Sequence, residues 1–220
     1  MSEQTPDFEQ KAELAIPQLR PQEFAEQYAT AVFGEDAESR NLLRTDILTG
    51  LRGEEKDQLA GKLAAQEVPE VLRMVKIYHG EHVEIAPGES GPKFLLTNEL
   101  NGCTATVIFT EQADGRREAA MAHFPDIMTA RHVSKLGEIV TEKMRSSPKK
   151  SALIFAADNR QESVAEIQTE LRALLGEEAD VQIESYKKSD EADYGVLLVR
   201  VPPAGREPAS AHATGMNRKM

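Results

Sequence analysis

The spacing of the apolar residues first changes near Glu81, and that change limits the folds open to this chain. Before it, apolar residues recur every three or four positions, the period of a helix that buries one face. "RPQEFAEQYATAVFG" places Pro21 in a first turn, puts Phe24, Tyr28, Ala31 and Val32 at helical spacing, and offers Gly34 as a stop. "AESRNLLRTDILTGLRG" repeats the scheme with Leu43, Ile47 and Leu51 ahead of Gly53. "EEKDQLAGKLAAQ" and "PEVLRMVKIY" predict two more helices, the latter with Val71, Leu72, Val75 and Tyr78 on one side. Residues 1–78 therefore read as a small helical N-terminal region, a domain or an arm, with no strand signal in it.

Beyond Glu81 the reading turns to strands. "HVEIA" and "KFLLTNE" flank the turn-rich "PGESGP", and "CTATVIFT" and "EAAMAHF" flank "EQADGR", whose Asp-Gly step marks a hairpin. "DIMTARHVSKLGEIVTEKMRSS" predicts a helix opened by Asp126. "SALIFAA" is apolar nearly throughout, the mark of a strand covered on both faces. "NRQESVAEIQTELRALLG" predicts an amphipathic helix closed by Gly176, and "DVQIESYK" and "YGVLLVRV" two last strands. Strands, packing helices and strands again predict a layered α/β sheet sandwich over residues 79–202. The stretch from Pro203 to Met220 has no periodicity and reads as a disordered tail.

Charge and cysteine content narrow the partners. With 26 basic against 37 acidic residues the net charge is −11, and no basic stripe interleaves with aromatics, which argues against nucleic acid. A single cysteine excludes an internal disulfide and a cysteine-based zinc cluster, and fits a reducing, cytoplasmic setting. "MSEQTPDFEQ" lacks the basic and apolar parts of a signal peptide, and no apolar stretch is long enough to span a membrane. Delivery into another cell's cytosol by a route without such a signal leaves no mark on a sequence.

Cys103 opens one hairpin strand and His123 lies on the next. With a five-residue loop, Glu111 to Gly115, the two face each other directly. A three-residue loop makes them diagonal neighbours on one face, and an even loop puts them on opposite faces. A thiol beside an imidazole can attack an acyl carbon while the imidazole moves the proton to the leaving group. Gly102 removes a side chain next to the thiol and leaves backbone N–H groups to face an oxyanion, with Asn101 beside it on the substrate side. The plainer reading is a buried cysteine that only packs.

"LLTNELNGCTATVIF" followed by "AAMAHF" resembles the active-site hairpin of the cysteine deamidases of the CheD and cytotoxic necrotizing factor type. The likeness lies in a Gly-Cys step opening a strand, a histidine on the next strand, and a threonine, Thr97, six residues before the cysteine. It extends over roughly Lys93 to Val201 as an order of elements. Ala156 and Ala157 stand where CheD has a glycine pair, "KKSDEADYG" stands where it has a glycine-rich, arginine-containing segment, and the helical first third has no counterpart. The resemblance implies a CheD-like fold and a protein glutamine deamidase working through a thioester without cofactor. Cys103 would be its nucleophile, His123 its base and acid, and Thr97 the residue that orients the imidazole. It implies a protein substrate carrying the target glutamine, and leaves open transglutamination and the oligomeric state. The alternative is an inactive CheD-like fold that serves as a protein–protein interaction module.

Other features carry less. "HGEHVE" brings His79 and His82 near Glu84 without a full ligand set, so a solvated linker is expected there and no metal. His132 is expected on the polar side of its helix. No glycine pattern for nucleotide binding is present.

Overall fold

The computed structural model describes residues 21–49, 51–65, 72–144, 149–187, 193–205 and 209–217. Three helices come first: α1 (Pro21–Phe33), α2 (Ala37–Thr49) and α3 (Glu54–Ala65). Pro21 starts α1, and Gly34 ends it with φ 56°, a left-handed conformation that costs glycine little. Then follow β1 (Leu72–Met74), β2 (His79–Ile85), β3 (Lys93–Leu100), β4 (Cys103–Glu111) and β5 (Arg117–Pro125). A 3₁₀ turn at Asp126–Met128 leads into α4 (Thr129–Glu142), then β6 (Lys149–Ala157), α5 (Gln161–Leu175), β7 (Asp180–Tyr186), β8 (Asp193–Val201) and β9 (Ser210–Asn217).

The strands make two sheets, in the orders β1-β3-β8-β9 and β2-β5-β4-β6-β7. Alternation along the strands sorts side chains into layers. Val107, Met121, Leu153, Phe155, Leu95, Leu197 and Val199 fill the space between the sheets. The other face of the five-stranded sheet, through Ile108, Ala120 and Ile154, packs on Leu136 and Ile139 of α4 and Ile167 and Leu171 of α5. The other face of the four-stranded sheet, through Leu96, Val196 and Leu198, packs on Ala29, Leu43 and Leu59 of the first three helices. The protein is thus a four-layered α/β sandwich, in line with the fold class expected from the sequence. β6 lies between β4 and β7 with both faces covered, which explains its uninterrupted apolar run.

Two expectations are corrected. Leu72–Met74, placed in a helix by its spacing, is a short strand parallel to β3, with Leu72 buried in the outer-face cluster. Three residues are too few to show alternation, and their apolar spacing suits either state. Val71 lies outside the described residues. Within the tail expected to be structureless, Ser210–Asn217 pairs antiparallel with β8 from Ser210↔Arg200 to Asn217↔Asp193. Backbone hydrogen bonds to an existing strand hold this edge, so its sequence needs no strong apolar pattern. A boundary after residue 78 separates β1 from the sheet it joins.

Candidate active site

The β4–β5 hairpin takes the three-residue option. Glu111 pairs with Arg117, the Gln112 carbonyl accepts from Gly115 N–H, and Gln112 N–H donates to the Arg116 carbonyl. Gly115, at φ 86°, takes the left-handed position that such a loop requires. Cys103 consequently lies opposite Pro125, and His123 opposite Ala105. The two are diagonal neighbours on the face shared with Ala105 and Val107, pointing between the sheets.

Thr97 comes from the other sheet. Its hydroxyl oxygen lies 2.8 Å from the Val75 carbonyl and 2.7 Å from His123 Nδ1, and all of these contacts are buried. A carbonyl can only accept, so the single hydroxyl proton of Thr97 goes to Val75. Nδ1 must then carry the ring proton and donate to Thr97, which leaves Nε2 with a lone pair. Nε2 is buried and has no hydrogen-bond partner among the described residues. Burial lowers the His123 pKa to about 4, against a smaller opposing effect of the Val75 carbonyl. At neutral pH the ring is therefore uncharged, and its lone pair lies on the atom that would take a proton.

Cys103 is 7% exposed and starts its strand after a left-handed Gly102, φ 72°. The backbone N–H groups that the sequence reading reserves for an oxyanion are engaged. Gly102 and Cys103 both donate to the Tyr186 hydroxyl, at 2.9 and 3.1 Å, and that hydroxyl donates to the Cys103 carbonyl at 2.8 Å. Asn101 is exposed in the bend just before the strand. On the reverse face of β4, Thr104 donates to Asp126 at 2.6 Å, and Arg160 Nε lies 2.9 Å from the other Asp126 oxygen, which ties the start of β4 to the end of β5.

Of the residues singled out from sequence, Thr97 and His123 touch and Cys103 shares their layer. Sequence reasoning missed the Val75 carbonyl and Tyr186, because a main-chain acceptor and a partner 83 residues away carry no local signal. It also placed His79 in a linker, whereas His79 begins β2 directly opposite His123. His79 and His82 are three positions apart on that strand and so face opposite sides, which prevents joint metal ligation. His82 instead lies 3.5 Å from Glu118 on the outer face. Among the described residues, no three acidic, histidine or cysteine side chains converge as metal ligands. His132, expected to be exposed, is buried against Phe124.

The chain matches no protein-family model and no curated protein. Among solved structures it is similar to the C-terminal domain of CNFy from Yersinia pseudotuberculosis, with 12% identity and a TM-score of 0.33 over 66% of this chain and 61% of that chain. It thus spans about three fifths of that domain. No helix among the described residues is long and apolar enough to cross a membrane.

Proposed function

We propose that this protein is a cysteine-dependent protein glutamine deamidase, related to the CheD and cytotoxic necrotizing factor type through Thr97, Gly102-Cys103 and His123. The observation that carries the reading is the His123 ring: Nδ1 is tied to Thr97, and an unpartnered Nε2 is buried in the layer that also holds Cys103. In this reading Cys103 sulfur bonds to the carbon of a glutamine carboxamide as the carbonyl electrons move onto oxygen. Nε2 takes the thiol proton and passes it to the nitrogen as the C–N bond breaks, so ammonia leaves and a thioester remains. Nε2 then takes a proton from water, the resulting hydroxide attacks the thioester, and the thiolate leaves and recovers the proton. The product is glutamate. An apolar rim formed by Ile77, Tyr78 and the 87% exposed Ile127 flanks this end of the sandwich and supports a protein as substrate. A reducing cytosol suits a mechanism that needs a reduced thiol.

The low exposure of Cys103 favours a second reading, an inactive sandwich that binds partners. One experiment separates the two. Incubation with candidate partner proteins followed by intact-mass measurement should show gains of about one dalton per modified glutamine, the mark of amide hydrolysis through the named nucleophile. Cys103→Ser should abolish the gain and leave the melting temperature nearly unchanged. A serine variant as active as the native protein would overturn the mechanism.

A further inference from the structure

Gly102 makes the approach to Cys103 a weak joint. A glycine at φ 72° can take many other conformations, and the peptide after it carries the thiol. A proximal thiol needs a fixed direction to work with an imidazole on the neighbouring strand. Something must hold this joint. Tyr186, at the end of β7, is the residue in place to do so.

Its hydroxyl accepts both N–H groups, of Gly102 and Cys103, and donates its only proton to the Cys103 carbonyl. One oxygen atom thus satisfies three main-chain groups on either side of the flexible joint. The ring that carries it is 2% exposed and packs on Phe155, with centroids 5.2 Å apart. From the opposite sheet, Gly195 makes room for it: a Cβ there would stand 2.8 Å from Tyr186 Cδ1 and 2.9 Å from Phe155 Cε1. Burial raises the phenol pKa, so the hydroxyl keeps the proton it donates.

The geometry points to Tyr186 as the positioning residue of Cys103, clamping the Gly102–Cys103 peptides so that the thiol is held toward His123. This inference rests on the deamidase reading and adds a component to it. It has a chemical consequence: while the clamp holds, the Gly102 and Cys103 amides do not serve as oxyanion donors.

Iodoacetamide provides the probe, with the single-cysteine adduct read by intact mass between pH 5 and 9. Imidazole-assisted reactivity should extend well to the acid side of the ordinary thiol midpoint near pH 8.5. His123→Ala should remove that acid-side reactivity. Tyr186→Phe keeps the ring and removes the clamp, and should lower the rate at pH 7 by about ten- to a hundredfold, the scale of a small misplacement. Its profile should come to match that of His123→Ala, with no further loss in the double variant. A purely structural role would lower the melting temperature and leave the shape of the pH profile unchanged. Gly195→Ala, which displaces the ring and retains the hydroxyl, should produce the same change to a smaller extent, and decides the matter if the phenylalanine variant does not fold. Tyr186 and Gly195 variants that keep the native acid-side profile would overturn the clamp alone. A native protein with no acid-side reactivity, or one that His123→Ala leaves unaltered, would overturn the deamidase reading and the clamp with it.

Discussion

Two buried histidines sit on opposite faces of β5, and only one of them has the neighbours of a catalyst. His123 projects from the strand into the layer between the sheets, with Nδ1 on Thr97. His132 approaches the other face from α4, with its ring stacked on Phe124 at a centroid distance of 5.4 Å. Burial lowers both, His123 to about 4 and His132 to about 3, and the charge of His123 further opposes protonation of His132. Both have an Nε2 with no hydrogen-bond partner among the described residues. Burial, titration and an idle ring nitrogen are therefore shared. The difference lies in what else shares the layer: Cys103 stands with His123, while His132 is packed among side chains such as Phe124 and Leu136. A perturbed histidine becomes a candidate base only through a nucleophile on the same face.

The sharpest break of this comparison is a pair of variants. His123→Ala should lower deamidation by about 10²- to 10⁴-fold, the usual worth of a positioned acid–base group. His132→Phe should leave it within about threefold, since it keeps a stacked ring and touches none of the reacting atoms. The check is ammonia release per folded molecule, with folding followed by circular dichroism. Equal losses in both variants would erase the distinction.

The same contrast shows what a sequence can disclose. The hairpin and its Asp-Gly turn follow from strand periodicity, whereas the shared face of Cys103 and His123 depends on a register that periodicity leaves open among five-residue, three-residue and even loops. The turn chemistry around Gly115 decided it. His132 was misplaced because α4 packs a broad face on the sheet, so a position outside the apolar stripe is still covered. β1 and β9 escaped notice because their neighbours supply their stability: one is three residues long and the other is an edge strand held by backbone bonds. Tyr186 and Val75 act across the fold, and no local pattern announces such partners.

A second test concerns stability rather than activity. Each histidine is held neutral in the folded protein but takes a proton near pH 6.5 when the chain unfolds. The unfolded chain therefore binds more protons once the pH drops below about 6.5, the unperturbed histidine value, and stability falls with it. The loss should run on the order of 1.4 kcal/mol per pH unit for each histidine. It should level off near pH 4 for His123 and near pH 3 for His132. Urea unfolding between pH 7 and 3 should show His132→Phe less acid-sensitive than the native chain. A parallel pH dependence in the two proteins would mean that His132 is not held neutral by the fold.

The smallest effect is expected at Thr97, and its size sharpens the account of how His123 is oriented. Thr97→Val removes one hydroxyl and keeps the branched shape, so the packing between the sheets should survive. A single neutral hydrogen bond is worth about 1 kcal/mol, which corresponds to a loss of activity of about fivefold. The loss should stay at that level if, with the hydroxyl gone, the Nδ1 proton passes to the Val75 carbonyl that now accepts from Thr97. The tautomer, and with it the lone pair on Nε2, would then be retained. Thr97→Ser, which keeps the hydroxyl, should restore most of the activity. Measuring the rate against pH makes the test specific: the native and valine proteins should share an acid limb, because burial rather than Thr97 sets the His123 titration. A thousandfold loss in the valine variant would instead make the threonine hydroxyl the sole anchor of the ring, and the Val75 carbonyl a bystander.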